Sequence, residues 1–392
     1  MRPLVEESEN TLVLPGFVSA HSHAFQRALR GKTQRASHET GTFWSWRDAM
    51  YALADSLTPE SIYALSRQAF RELARTGVRA VGEFHYVHHQ AGGVPYAQRT
   101  LLADRVIEAA LDEGLKITLL RVAYARAGAS KPPEGAQRRF SDPSPDWVLR
   151  DVEDLSARWR TNPDVRVGVA PHSVRAVPAA WLKALYDATA ASQMPYHMHV
   201  AEVQGEVDAC VAEHGRRPVE LLAELGVLDA RFVAVHATCL SAREARLLGE
   251  AASFACLCPT TERDLGDGLA DIGALRDAGV RLCVGVDSHV ITDPIEEMRA
   301  LETHERLRLR RRVTWAPEGG RSLALGLALE ASLEGAAACG WRPIVTAAET
   351  SWAPVTRVDL SHPTLAGVEA GRALDAFVFS GHPGCVMPEE AR

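Results

Sequence analysis

The sequence predicts an α/β protein: a (β/α)8 TIM barrel with a small β-sandwich satellite domain formed by the chain termini. Three observations lead there. Eight short apolar runs, often β-branched, recur along the chain; segments with helix start and stop signals separate them; and ligand-type side chains stand at the ends of several runs. Eight alternations favour a closed barrel over an open doubly wound sheet. No Gly-x-Gly-x-x-Gly follows a strand, which excludes the dinucleotide-binding form of that sheet.

The predicted strands span 12–18, 78–87, 116–124, 165–170, 196–201, 232–237, 254–258 and 281–286. Thr58-Pro59-Glu60 opens a helix with a capping threonine, a proline at the first helical position and an acid in the first turn, and Gly77 closes it. Helices are likewise expected over 99–113, ended by Gly114, and over 178–191 and 241–251. Residues 125–146, rich in Gly, Pro, Ser and Arg, predict a long loop over the barrel mouth. Segments 356–360, 367–371 and 375–379 predict short strands and turns. The expected division is 1–13 and 346–392 for the satellite and 14–345 for the barrel.

Composition narrows the function. The net charge of −7 and a charged fraction of 24% fit a soluble globular chain and argue against general nucleic-acid binding, which needs a basic surface. The basic run Arg308-Leu309-Arg310-Arg311-Arg312 reads as the solvated end of a helix. Seven cysteines without Cys-x-x-Cys spacing read as buried reduced thiols. The first residues lack the apolar core of a signal peptide, and no stretch is apolar enough to span a bilayer, so the expected compartment is the cytoplasm.

The chemistry lies at the strand ends. In an extended segment residues two apart share a side, so His21 and His23 can face one cation. His199, His236 and Asp287 follow later runs. Alone, a His-x-His pair is often structural, and a lone His236 or Asp287 is more often a hydrogen-bonded strand end; their joint position at separate strand ends decides for a site. Three imidazoles and a carboxylate, His21, His23, His199 and Asp287, suit one Zn2+, with Fe2+ or Mn2+ as alternatives. Such an ion activates water for hydrolysis. Glu202 is expected to transfer protons, His236 to act as a second proton carrier or electrophile, and Asp287 to accept a water proton besides binding metal.

The motifs extend well beyond these residues. His21-Ser22-His23-Ala24-Phe25-Gln26-Arg27-Ala28, Phe43-Trp44-Ser45-Trp46-Arg47, Glu83-Phe84-His85-Tyr86-Val87-His88-His89 and Gln137-Arg138-Arg139-Phe140 are followed by Ala170-Pro171-His172-Ser173-Val174-Arg175-Ala176-Val177, Gly215-Arg216-Arg217-Pro218, a motif from Thr260 to Gly268, and Gly285-Val286-Asp287-Ser288. With them the chain resembles the amidohydrolase superfamily in its mononuclear deaminase branch, and within it the formimidoylglutamate deiminase family of histidine degradation.

That resemblance implies hydrolysis of N-formimino-L-glutamate to N-formyl-L-glutamate and ammonia, with Gln26, Tyr86, His172 and Arg175 binding the substrate. It also implies a homodimer. Without the resemblance Arg175 reads as a surface ion pair and Tyr86 as a packed aromatic. His85, His88 and His89 read as structural or supporting groups, His289 is open, and Trp44 and Trp46 read as a wall of the site or as packed loop aromatics. Two departures from the family stand out: a short stretch before His21, which predicts a trimmed satellite, and Arg263-Asp264 in place of a smaller Ala-Asn pair. The rival readings are another deaminase of the branch, acting on a nucleobase or guanidino compound, and a non-catalytic zinc-binding barrel.

Overall fold

A computed structural model of the chain describes residues 1–34, 43–314 and 322–388, with the side chains of 43–45 left aside; Trp44 therefore lies outside the described side chains. Strands β1 (Arg2–Pro3), β2 (Glu6–Glu7) and β3 (Thr11–Pro15) come first. The barrel follows as β4 (Phe17–Ser22), β5 (Val78–His85), β6 (Lys116–Ala123), β7 (Val165–Pro171), β8 (Tyr196–Val200), β9 (Phe232–His236), β10 (Phe254–Leu257) and β11 (Arg281–Val284). These eight pair in parallel in chain order, and a parallel bridge from Ser22 to Asp287 brings β4 back beside β11. Asp287 N–H donates to His21 O and His23 N–H to Asp287 O, so the seam that closes the barrel runs through site residues.

The remaining strands, β12 (Glu349–Thr350) and β13 (Val355–Asp359), pair with the N-terminus: β12 with β1, and β13 with β3, which also pairs β2. These two small sheets from both termini form the satellite. The expected strand over 12–18 is corrected here, because it is two strands in two sheets divided at Gly16. A Cβ on Gly16 would stand 2.6 Å from the Arg79 side chain. The Gly16 N–H donates to Pro354 O, and its carbonyl accepts from Trp352 Nε1. One apolar run hides the break because both halves are buried, the first against the satellite and the second inside the barrel.

Helices fall where the end signals place them. Helix Pro59–Arg75 starts at Thr58, whose side chain accepts the Ser61 N–H, and buries Ile62, Ala69, Phe70 and Leu73 on one face. Leu101–Asp112, Ala179–Ala190 and Ala242–Glu250 match the other expected segments. Helix Pro294–Leu309 ends at Arg310, and Arg308 pairs with Glu305 and Asp271, so the basic run is a helix terminus. All seven cysteines are free thiols. No helix among the described residues is long and apolar enough to cross a membrane.

The segment 375–379, expected as a short strand or turn, lies in helix Ala373–Ser380. An apolar run this short fits either period. Packing decides: Ala373, Phe377 and Val378 are buried on one face, Phe377 stacks on Phe17 with centroids 6.3 Å apart, and Arg299 donates to Val378 O and Gly381 O at the helix end.

Candidate active site

The C-terminal ends of the barrel strands form one face, and the predicted side chains meet there. His21 and His23 sit at the end of β4, His199 in β8, His236 at the end of β9 and Asp287 just beyond β11. Non-glycine residues with left-handed backbone cluster at these ends: Ala201, His236, Ala237, Asp287 and His289 have φ of +52°, +72°, +56°, +49° and +57°. Each costs roughly 1–3 kcal/mol, and such strain gathers where side chains must be aimed inward. Gly285 serves the same end, since a Cβ there would stand 2.7 Å from the His21 Cβ and 2.9 Å from its nitrogen.

The Nε2 atoms of His21 and His199 face each other at 3.1 Å, while Asp287 Oδ1 lies 3.3 Å from His21 Nε2 and 3.4 Å from His23 Nε2. Burial pushes the His21 imidazole down to about 3 and lowers His23 and His199, so all three rings are neutral and present lone pairs. His23 Nδ1 donates to Phe84 O at 2.9 Å, which turns the Nε2 lone pair toward the cluster. Burial alone would raise Asp287, but the surrounding imidazoles, the protonated His236 among them, outweigh it and hold the carboxyl well below its usual range. The ligand atoms fall into two groups of three within 4.8 Å of one another, His21 with His23 and Asp287, and His21 with His199 and His236. His21 is common to both groups, and each could hold a divalent cation.

His236 differs from the other three. Its Nε2 lies 3.6 Å from Glu202 Oε1 and 3.8 Å from Asp287 Oδ2, and its Nδ1 lies 3.4 Å from Glu262 Oε1. Burial would lower it, yet Glu202, Glu262 and Asp287 together lift it to about 10, so the ring is an imidazolium. Glu202 is raised by burial and by Asp287 against the pull of His236. A protonated imidazole beside a carboxyl with a raised proton affinity is a pair suited to proton transfer.

These groups open into a cavity whose wall includes Gln26, Tyr86, His172 and Arg175. Gln26 Nε2 donates to Tyr86 Oη at 2.8 Å, leaving Gln26 Oε1 without a partner. Burial and the cation of Arg175 keep His172 neutral. Arg175 bonds to Tyr124, while its Nη1 is buried and unpartnered. Trp46, Arg47 and Tyr51 of helix Phe43–Ser56, with Tyr124, Phe140 and Leu265, complete the wall.

The supporting histidines bond to the scaffold. His88 Nε2 lies 2.9 Å from Val122 O, and His89 Nε2 lies 3.0 Å from Ser141 O. His289 Nε2 lies 2.8 Å from Ser22 Oγ, which donates to Glu83, and Glu83 also accepts the Ala24 N–H. Burial raises the Glu83 carboxyl to about 8. Glu83, Glu262, Arg47, Tyr51 and Tyr124 were not singled out from the sequence; Glu83, Glu262 and Arg47 were visible only as members of longer motifs. Of the departing pair, Arg263 bonds Glu296 and Asp264 accepts from Gln34, both in exposed contacts.

Comparison with known proteins agrees with this geometry. The model of the Amidohydrolase family matches residues 12–343. Formimidoylglutamate deiminase of Pseudomonas aeruginosa is 37% identical over 94% of this chain and 81% of its own length. The 8-oxoguanine deaminase of the same organism is 28% identical over 83% of this chain and 70% of its own. The crystal structure of an amidohydrolase from Brucella melitensis superposes with a TM-score of 0.87 at 34% identity, covering 95% of this chain and 84% of that one. On sequence and on fold alike, the chain belongs to the amidohydrolase family.

Proposed function

We propose that this chain is a zinc-dependent deiminase that converts N-formimino-L-glutamate and water to N-formyl-L-glutamate and ammonia in histidine degradation. The similarity to the Pseudomonas aeruginosa deiminase supports the reaction class. The observation that carries the substrate is Arg175: a guanidinium in the cavity wall with a buried nitrogen that has no partner calls for a bidentate anion, and the substrate brings two carboxylates. Arg47 on the same wall adds a second cation. A nucleobase, uncharged at that position, would leave Arg175 unmet.

His21, His23, His199 and Asp287 are the residues that would hold the ion. When bound, a divalent cation there lowers the pKa of water and polarises the carbon under attack. Glu202 accepts a proton from the attacking water and returns it to the departing nitrogen. His236, kept protonated by its three acidic neighbours, donates toward the oxygen that gains charge. Asp287, through the oxygen that faces His236, keeps that ring in place and receives a water proton. Gln26 and Tyr86, joined by a hydrogen bond, orient the substrate backbone, and neutral His172 offers a further nitrogen to its polar end.

The zinc-loaded protein is expected to release ammonia from formiminoglutamate and not from guanine or cytosine; absence of turnover on the first rejects the substrate. The same reading carries a cytoplasmic homodimer, and a division into a barrel over 14–345 and a satellite over 1–13 and 346–392. Sedimentation and limited proteolysis test these.

A further inference from the structure

The scheme above assigns no task to the motif Gln137-Arg138-Arg139-Phe140. Gln137, Arg139 and Phe140 are buried, and Phe140 lines the cavity. Arg139 fastens the segment to two neighbours. Its Nε donates to His89 O at 2.8 Å, its Nη2 to Leu57 O at 2.9 Å and its Nη1 to Ala54 O, while its own carbonyl accepts the N–H groups of His88 and His89. Ala54 belongs to helix Phe43–Ser56, which carries Tyr51 in the cavity wall. Gln137 therefore stands on a turn that is tied to the helix it faces.

The Gln137 amide is fully engaged. Its Oε1 accepts the Glu134 N–H at 3.0 Å, which fixes the amide with Nε2 toward the wall. Nε2 donates to Tyr51 Oη at 3.0 Å and to Tyr124 Oη at 3.1 Å. An amide nitrogen cannot accept, so both phenol oxygens are acceptors here and neither hydroxyl proton is used on Gln137. Tyr124 also bonds Arg175 and Tyr51. A guanidinium only donates, so Gln137 and Arg175 fill both lone pairs of the Tyr124 oxygen, and its bond to Tyr51 is one that it donates. The Tyr51 oxygen then has both lone pairs taken, by Gln137 and Tyr124, and keeps only its proton to offer. No acceptor for that proton stands among the described residues, and Arg175 Nη1 on the same wall is likewise a donor without a partner.

We propose that Gln137 is the positioning residue of a carboxylate subsite: it turns the Tyr51 hydroxyl proton into the cavity, where Tyr51 and Arg175 together bind one carboxylate of the substrate. The inference rests on the dicarboxylate reading above and extends it to a second donor. A subsite that offers only the Arg175 N–H and the Tyr51 O–H selects an anion, since an amide in the same place would set its own N–H against a donor. Tyr124 touches both donors and keeps them in one register, and Gln137 acts on the substrate only through the two tyrosines.

The test is a double-mutant cycle on the full zinc-loaded chain with formiminoglutamate as substrate. Tyr51→Phe, which keeps the ring and removes the proton, should raise KM roughly 10-fold or more, the loss of one hydrogen bond to a charged group. Its kcat should change less than about threefold, because the contact is made equally in the ground and transition states. Gln137→Met should raise KM roughly 3- to 10-fold in the wild-type background. Added to Tyr51→Phe it should change KM less than about twofold, since the proton it directs is already gone. A purely structural glutamine would cost the same in both backgrounds, and Tyr51→Phe alone carries the test should Gln137→Met fold poorly. An unchanged KM in Tyr51→Phe, a loss confined to kcat, or an equal KM rise from Gln137→Met with and without the Tyr51 hydroxyl each overturns the inference while formiminoglutamate is still turned over. A wild-type chain that does not turn it over removes the dicarboxylate reading, and the inference falls with it.

Discussion

Two charge networks are buried in this barrel, and they are built on opposite terms. Around Arg121 in β6 the opposite charges are matched. Its Nη2 donates to Asp142 Oδ1 and Asp151 Oδ2, both at 2.7 Å, and Arg99 Nε occupies the second oxygen of Asp151 at 2.8 Å. Around His236, itself paired with three acids, several neighbouring groups lack a match. Two neutral imidazoles point lone pairs at each other, and Gln26 Oε1, Arg175 Nη1 and both oxygens of Asp267 have no partner among the described residues. Buried charges stand in both regions, so burial alone does not distinguish a structural network from a working one. The difference lies in satisfaction: a closed network holds the scaffold, and an open one keeps its unmet groups for metal and substrate.

Substitutions can break that contrast. The largest effect is expected from Glu202→Gln in the open network, with turnover falling about 10²- to 10⁴-fold. Zinc content and Tm should stay near those of the wild type; near-normal activity, or loss of the metal, would blur the distinction. In the closed network, Arg121→Met strands two carboxylates in the interior and should cost about 3–5 kcal/mol of unfolding free energy in a denaturant titration. Activity per folded molecule should change little, and a stable but inactive variant would mean that Arg121 belongs to the site.

Two smaller effects sharpen the contrast. Arg175→Met should raise KM roughly 10- to 100-fold with less change in kcat, as expected when a ground-state carboxylate contact is lost. An unchanged KM would count against the carboxylate assignment. Glu206 lies at the edge of the open network, and burial, with Glu202 adding and Arg175 opposing, raises its carboxyl from 4.5 to about 7. The folded state then holds the proton more tightly than the unfolded chain. Its contribution to stability is complete below about pH 4.5 and is lost as pH rises through about 7. Glu206→Gln should therefore reduce the fall in Tm between these pH values by a few degrees, and an unaltered pH profile would exclude the group as its source.

Much of this was readable in the chain because it depends on neighbours in sequence. The alternating runs, the cap at Thr58, the stop at Gly77 and the ligand-type residues at strand ends are local patterns, and a parallel barrel brings all such ends to one face. Tertiary structure decided the rest. The run 12–18 became two strands because Pro354 and Trp352, far along the chain, bind the backbone of Gly16. The segment 375–379 became helical because Phe377 has Phe17 to stack on. Whether an acid is matched or unmet was equally hidden: Asp151 and Asp267 look alike as letters, yet one meets two arginines and the other has no hydrogen-bond partner among the described residues. Periodicity and caps are set by the residues beside them, whereas partnership across the barrel is set by which distant strands and loops the closed sheet brings together.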